Sequence, residues 1–253
     1  MKKSTLSGSN IAALVLVCGL GCTLTGCGGG SGGANSSGSQ DSNTPPISTP
    51  PISTPTPTPV STAACPTSPL PLSQGEMSDA MFMREEEKLA RDVYTHLAAY
   101  WQARIGNAAV VNLMGNISQS EQQHMDSMKS VLACYGLPDP VDTKETPGIF
   151  IDNELAQLYA TLIPKGQTSQ LDALKIGALI EEVDIEDLGR AIGVSQQAYI
   201  DTVYANLACG SRNHLRSFAA QIASMEGRYS AQALSQSEVD AIVASPRETC
   251  AQP

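Results

Sequence analysis

Two stretches of this chain have the apolar spacing of buried helices, yet each places a glutamate within the apolar face. The acid is Glu87 in the first stretch and Glu181 in the second. Their apolar neighbours at helical spacing are Met83, Ala90, Tyr94, Leu97 and Trp101 in the first stretch, and Leu174, Ala178, Ile185, Leu188 and Ile192 in the second. An unpaired ionised carboxylate in an apolar interior is very costly. The interior of the fold must therefore supply a basic partner or a metal cation.

The folded part of the chain is predicted to be all-α. Aromatic residues are few, and no run alternates apolar and polar residues at a period of two. Four long helices are predicted, at about Ser73–Tyr100, Ile117–Tyr135, Ser169–Ile192 and Gln196–Met225. The long connection 137–168 is predicted to contain a short helix near Asn153–Leu162, and another short helix follows the capping-box pattern of Ser235 and Glu238.

The second long helix carries a possible pair of metal ligands. Glu121 and His124 are three residues apart, so their side chains point within about 60° of each other. Glu-x-x-His is the spacing found in carboxylate-bridged dimetal bundles, although in isolation it also arises on solvated helix faces. The third helix adds Glu181 and Asp184, and the fourth adds His214. Because acids or imidazoles occupy inward positions on all four helices, the combined pattern indicates a metal site.

Two aromatic residues of the first helix can be placed relative to Glu87. His96 follows it by nine residues, which points the imidazole to the opposite face and predicts a surface position. Tyr94 follows Glu87 by seven residues and shares its face. Tyr94 is expected either to donate a hydrogen bond to a ligand carboxylate or to be an ordinary core residue.

Residues 1–26 are predicted to be a lipoprotein signal peptide. A short basic start precedes an apolar run, Ile11–Leu20, which is too short for a membrane-spanning helix. Leu24-Thr25-Gly26-Cys27 resembles a bacterial lipoprotein signal, in which Cys27 becomes the lipidated first residue. Cys22 is a poorer candidate, since a glycine stands three residues before it. A lipid on Cys27 would anchor the protein to a membrane of the cell envelope, facing the periplasm or the exterior, and Gly28 favours the outer membrane.

The rest of the chain divides by composition into three predicted segments. Residues 27–74 are rich in Gly and Ser and then in Pro and Thr, which predicts a disordered tether. Residues 75–230 are predicted to form the helical domain, and residues 231–253 a C-terminal tail with one short helix. The net charge of −10, without a cluster of basic residues, argues against a nucleic-acid partner.

Four cysteines remain once the predicted signal and the lipidated residue are set aside. In an oxidising compartment an even number favours two disulfides, for which three pairings exist. Of these we prefer Cys134 with Cys209, and Cys65 with Cys250. The alternative is that all four are buried free thiols.

Four sequence blocks, in this order and spacing, resemble a bacterial and archaeal family of ferritin-like proteins catalogued as domain of unknown function 2202. The blocks are Glu85-Glu86-Glu87-Lys-Leu-Ala-Arg-Asp-Val-Tyr94, Asn116-Ile-Ser-Gln-Ser-Glu121-Gln-Gln-His124-Met, Gly177-Ala-Leu-Ile-Glu181-Glu182-Val-Asp184-Ile and Gly210-Ser-Arg-Asn-His214-Leu-Arg. The resemblance covers about residues 75–230. It implies a ferritin-like four-helix bundle, in which the 137–168 connection is a long crossover between helices 2 and 3.

The resemblance also implies a set of metal ligands. The first block is similar to the Glu-x-x-Ala-Arg-x-x-Tyr block of rubrerythrins, which selects Glu87 rather than Glu85 or Glu86. The implied ligands are Glu87, Glu121, His124, Glu181, Asp184 and His214, with Glu182 as the rival of Glu181. Ser211 departs from the pattern, because a second Glu-x-x-His would have a glutamate there. Either Asp184 or water fills that coordination position, or only one metal is bound firmly.

Carboxylates and imidazoles suit iron or manganese, and the resemblance implies a di-iron centre. The implied activities are iron oxidation, peroxide reduction and metal sequestration outside the cytoplasm. No Cys-x-x-Cys pair is present, so a reductase of the rubrerythrin kind would need an external electron donor. A different reading is a metal-free helical bundle that acts as a surface adaptor, in which the buried acids pair with Arg91 or Arg212.

Overall fold

A computed structural model of the protein describes residues 64–141 and 145–251. The helices are α1 (Gln74–Ile105), α2 (Ala109–Cys134), α3 (Asn153–Gly166), α4 (Gln170–Val194), α5 (Ala198–Ser224) and α6 (Gln236–Ala244). No strand occurs in the described residues, so the all-α prediction is confirmed for them. None of their helices combines the length and the apolar character needed to cross a membrane. The predicted signal peptide, the lipidation site Cys27 and the tether up to residue 63 lie outside the described residues.

Serine side chains cap the beginning of three of the helices, and the capping box predicted for Ser235 and Glu238 is confirmed. Ser73 and Ser235 each form a capping box with the glutamate three residues later, and Ser169 accepts a hydrogen bond from the backbone N–H of Asp172. Gly106 and Gly136 follow α1 and α2 with positive φ angles, which a glycine adopts without a steric penalty.

Three helix boundaries differ from the prediction by four residues or more. The first long helix continues past Tyr100 to Ile105. The second long helix begins at Ala109 rather than at Ile117, because the buried side chains of Val110, Val111 and Met114 extend its apolar face toward the N-terminus. The short helix α3 continues past the predicted Leu162 to Gly166.

The long helices pack as two pairs, α1 with α2 and α4 with α5, each joined by three residues (106–108 and 195–197). The pairs meet where α2 contacts α5 and α1 contacts α4. The interior contains two separate apolar clusters. The first includes Leu97, Met114, Leu179 and Phe218, and the second includes Met83, Leu132, Leu188 and Tyr204. On α1, α2 and α5, the predicted ligands lie between the residues that contribute to one cluster and those that contribute to the other. On α4 this holds for Asp184, whereas Glu181 precedes Val183, the last buried residue of the first cluster on that helix.

Buried charges on α1 hold the crossover that follows α2. Lys88 is fully buried; it pairs with Asp92 and donates to the carbonyl of Thr146 at 3.1 Å. Arg84 forms an ion pair with Asp139 at 3.1 Å. Glu85 accepts hydrogen bonds from the backbone N–H groups of residues 151 and 152. Arg84, Glu85 and Lys88 therefore attach the crossover to α1.

Among the described residues, the disulfides are Cys65–Cys134 and Cys209–Cys250, so the four cysteines form two disulfides as predicted and the preferred pairing is wrong. Gly210 lies against His124, which puts Cys209 near the level of His124. Cys134 is ten residues further along α2, about 15 Å of helix. A disulfide requires Cα atoms within about 7 Å, so Cys134 and Cys209 cannot pair.

Candidate metal centre

All six predicted ligands lie in the polar layer between the two apolar clusters. Glu87, Glu121, His124, Glu181 and Asp184 are buried, and the side chain of His214 is 12% exposed. They come from α1 (Glu87), α2 (Glu121 and His124), α4 (Glu181 and Asp184) and α5 (His214).

Glu121 lies between the two imidazoles. Its Oε2 is 2.8 Å from Nδ1 of His124, and its Oε1 is 2.8 Å from Nδ1 of His214. The two rings are nearly parallel, with centroids 5.6 Å apart. Each oxygen of the Glu121 carboxylate thus faces a different imidazole nitrogen.

Two further glutamates complete two groups of possible ligand atoms. Oε2 of Glu87 is 3.2 Å from Nδ1 of His124, and Oε2 of Glu181 is 3.3 Å from Nδ1 of His214. Glu87, Glu121 and His124 form one group, and Glu121, Glu181 and His214 form the other; within each group the ligand atoms lie within 4.8 Å of one another. Glu121 belongs to both groups.

Several atoms at this centre are buried and lack a hydrogen-bond partner among the described residues. They are Oε1 of Glu87, Oε1 of Glu121, Oδ1 of Asp184 and Nδ1 of His214. Glu121 Oε1 and His214 Nδ1 approach each other to 2.8 Å without the alignment of a hydrogen bond. Leaving such atoms unsatisfied is costly, and a cation between them would satisfy several at once. The residues present therefore fit a metal.

Asp184 lies outside both groups. Its Oδ2 accepts a hydrogen bond from Ser211, whose Oγ is also 3.0 Å from the carbonyl of Leu207. Ser211, the residue that departs from the family pattern, therefore orients Asp184 beside the centre.

The rival glutamates have other surroundings. Oε1 of Glu182 accepts hydrogen bonds of 2.6–2.7 Å from the backbone N–H groups of residues 232–234, and Tyr229 donates to its other oxygen. Glu182 therefore holds the segment that follows α5. Glu86 is buried near Asp187, and its pKa is raised well above the ordinary value by burial and by the charges of Asp187, Asp184 and Glu87.

The electrostatics of the centre reflect crowded carboxylates. Burial raises the pKa of Glu87 to about 7 against the attraction of His124, and burial also raises the pKa of Asp184 well above its ordinary value. For Glu121, burial opposes ionisation, yet the two imidazoles hold its pKa well below the ordinary value. Burial opposes protonation of His214, yet Glu121 and Glu181 raise its pKa to about 10.

The two arginines considered as partners for the buried acids are engaged elsewhere. Arg91 contacts Asp92, Gln122 and Glu145, and Arg212 pairs with Glu248. Neither contacts a predicted ligand through these interactions. The centre's carboxylates thus have imidazoles, Tyr94 and Ser211 as their close polar neighbours.

Tyr94 meets both expectations for its position. Its hydroxyl donates to Oε1 of Glu181 at 2.7 Å, while its ring is fully buried and packs against Phe218 at 5.4 Å between centroids. His96 is exposed and lies 3.1 Å from the hydroxyl of Tyr159, so its predicted surface position is confirmed.

Gly210 is a site residue that the sequence reasoning missed. A Cβ added there would lie 2.6 Å from Nε2 and 2.8 Å from Cε1 of His124. Glycine thus lets α5 approach the imidazole edge. The only sequence signal was its place in the fourth block, four residues before His214.

Comparison with known proteins identifies the family. A family model described as "Uncharacterized protein domain (DUF2202)" matches residues 76–246. Uncharacterized protein MJ0754 of Methanocaldococcus jannaschii is 41% identical over 178 residues, which cover 70% of this chain and 91% of that relative. The crystal structure of hypothetical protein MJ0754 from Methanococcus jannaschii DSM 2661 is similar with a TM-score of 0.67 and 39% identity, covering 72% of this chain and 99% of that one. The chain therefore belongs to the DUF2202 family.

Proposed function

We propose that this protein is a ferritin-like metal-binding protein that holds two divalent cations in its helical bundle. The position of Glu121 carries the proposal, since its two oxygens face the nitrogens of two different histidines. One cation would be held by Glu87, Glu121 and His124, and the other by Glu121, Glu181 and His214. Asp184, oriented by Ser211, would contribute charge beside both.

The donor set suits iron or manganese, and the resemblance to ferritin-like proteins favours iron. Carboxylate oxygens and imidazole nitrogens are common ligands of both metals. A pair of such cations, when bound, can act together on dioxygen or peroxide. The chain's own residues would fix the ligands: Tyr94 orients Glu181, Ser211 orients Asp184, and the two apolar clusters limit the access of water. We propose ferrous iron, dioxygen or peroxide as the substrates, with reducing equivalents from an external donor.

A metal-free adaptor remains the alternative function. That reading needs basic partners for the buried acids, and Arg91 and Arg212 do not contact the predicted ligands. Metal binding explains the unsatisfied atoms of the centre, and the adaptor does not.

We further propose that lipid on Cys27 anchors the protein in the cell envelope. The Leu-Thr-Gly-Cys sequence supports this, as do the two disulfides, which are typical of oxidising compartments. The wild-type protein, expressed in a bacterium, should partition into detergent, and Cys27→Ala should partition into the aqueous phase. Aqueous partition of the wild type would contradict the anchor.

Metal stoichiometry tests the centre. Protein freed of metal is dialysed against manganese(II) or, without oxygen, iron(II), and bound metal is measured by elemental analysis. We expect about two metals per chain for the wild type and about one for Glu87→Gln, because only one group loses a ligand. Glu121→Gln should bind less than Glu87→Gln, and the exposed control Glu154→Gln should match the wild type.

Full binding by Glu121→Gln would refute the site. Adding oxygen to the iron(II)-loaded protein and recording its absorbance then separates the functions. A rapid change that depends on Glu121 supports an oxidase, and an unchanged spectrum supports storage alone.

A further inference from the structure

The C-terminal tail is fastened to α5 beside the metal centre. The buried side chain of Asn213 binds the backbone of Glu248 on both sides: its amide nitrogen donates to the carbonyl at 3.1 Å, and its oxygen accepts from the N–H at 2.9 Å. Asn213 directly precedes His214. The tail is thus clamped next to a predicted ligand.

Charge and a covalent bond reinforce this clamp. Glu248 forms ion pairs with Arg212 and with Arg216, the latter at 2.7 Å. Cys250 is joined to Cys209. The α5 residues that make these contacts lie within residues 209–216, the same two turns that carry Ser211 and His214.

A small cavity of about 200 Å³ lies between the tail and the two histidines. His124 of α2 and His214 of α5 line one wall of the cavity. Arg247, Glu248 and Cys250 of the tail line another. Its other walls include the polar side chains of Ser120, Gln123 and Asn206. The cavity is smaller than the roughly 300–1,000 Å³ typical of sites for drug-sized ligands, and it has room for several water-sized molecules.

We propose that this cavity is the route by which small polar species of two or three heavy atoms, such as peroxide, reach the cation pair, and that the disulfide-fastened tail excludes larger solutes. The proposal rests on the proposed function for the identity of what is reached. The shielding of His124 and His214 by the tail is expected whether or not a metal is bound.

The metal-free protein tests the shield. Diethyl pyrocarbonate, a reagent much larger than peroxide, is applied at one fixed pH, and its adducts on the three histidines are quantified by peptide mass spectrometry. In the wild type, exposed His96 should react quickly, and His124 and His214 at least tenfold more slowly. The double variant Cys209→Ser/Cys250→Ser should raise the rates at His124 and His214 at least tenfold. The matched control Cys65→Ser/Cys134→Ser, which removes the remote disulfide, should behave as the wild type.

The cobalt(II)-loaded protein tests the route, with azide as the small probe. Azide should change the visible absorption of the wild type without removal of the tail. If cobalt binds and azide has no effect, the route is refuted. If His124 and His214 react as fast as His96, or no faster in the Cys209→Ser/Cys250→Ser variant, the shield is refuted. If cobalt does not bind, the proposed function fails, and the histidine labelling still decides whether the tail is a cover.

Discussion

Gly210 lies so close to His124 that a side chain on the glycine would overlap the imidazole, with its Cβ only 2.6 Å from Nε2. We predict that Gly210→Ala displaces the ring and weakens metal binding about 10- to 100-fold, the range seen when the support of a ligand is lost. Titration calorimetry with manganese(II) measures this. Gly189→Ala, at an exposed position of α4 with open space around it, is the matched control. It should leave the affinity unchanged and increase the free energy of unfolding by about 0.5–1 kcal/mol. Equal affinities for the two variants would contradict the role of Gly210.

Removing the hydroxyl of Tyr94 should affect the centre more than the core. Tyr94→Phe keeps the ring but loses the hydrogen bond to Glu181, so the free energy of unfolding should fall by about 1 kcal/mol and metal affinity should fall as well. Tyr204 is also buried, and its hydroxyl has no hydrogen-bond partner among the described residues, so Tyr204→Phe should change neither quantity appreciably. Urea unfolding and metal titration of both variants check this. A larger loss of affinity in Tyr204→Phe would argue against the assigned role of Tyr94.

Lys88 should be important for stability but not for metal binding. Lys88→Met leaves Asp92 buried with only Arg91 as a charged partner and removes the bond to Thr146, so unfolding should become easier by about 3 kcal/mol. Exposed Lys129→Met should change stability by less than about 0.5 kcal/mol. Urea denaturation of the metal-free proteins measures both. A stable Lys88→Met variant would show that the crossover is held by other contacts.

Acid should weaken the attachment of the tail through Glu248. Hydrogen bonds from Arg212 and Arg216 lower the pKa of Glu248 from 4.5 to about 2, against the effect of its partial burial. Because the pKa is lower in the folded state, the stabilisation is complete above about pH 4.5 and is lost as the pH falls toward 2. Thermal unfolding of the wild type and of Glu248→Gln should therefore differ at pH 6 and converge near pH 2. Solvent screening keeps the difference small. A difference that does not depend on pH would contradict this account.

The helices and the grouping of most ligands could be predicted, because both follow from the helical period. Glu87 and Glu181 interrupt apolar faces, and Glu121 and His124 share one face, so the fold had to bring acids and imidazoles inward. Five of the six predicted ligands fall into the two groups, and Asp184 lies just outside them.

The disulfide pairing and the position of the tail could not be predicted in this way. Helical periodicity predicts which side chains share a face, but not how far one helix is shifted along its neighbour. That axial shift keeps Cys134 apart from Cys209. The roles of Arg84 and Lys88 depend on an irregular crossover, for which the sequence has no comparable rule. The partners of Glu182 and Asn213 lie in irregular segments after α5, where helical periodicity predicts no contacts.

The α5 segment 209–216 holds the tail with one set of side chains and serves the metal centre with another. The proposed cation binding and the docking of the tail therefore depend on the same segment of one helix. If cation binding stabilises the docked tail by some free energy, docking of the tail stabilises the bound cations by the same amount, because coupling between two sites is reciprocal. A loaded centre would hold its own cover more tightly, and a released tail would loosen its cations.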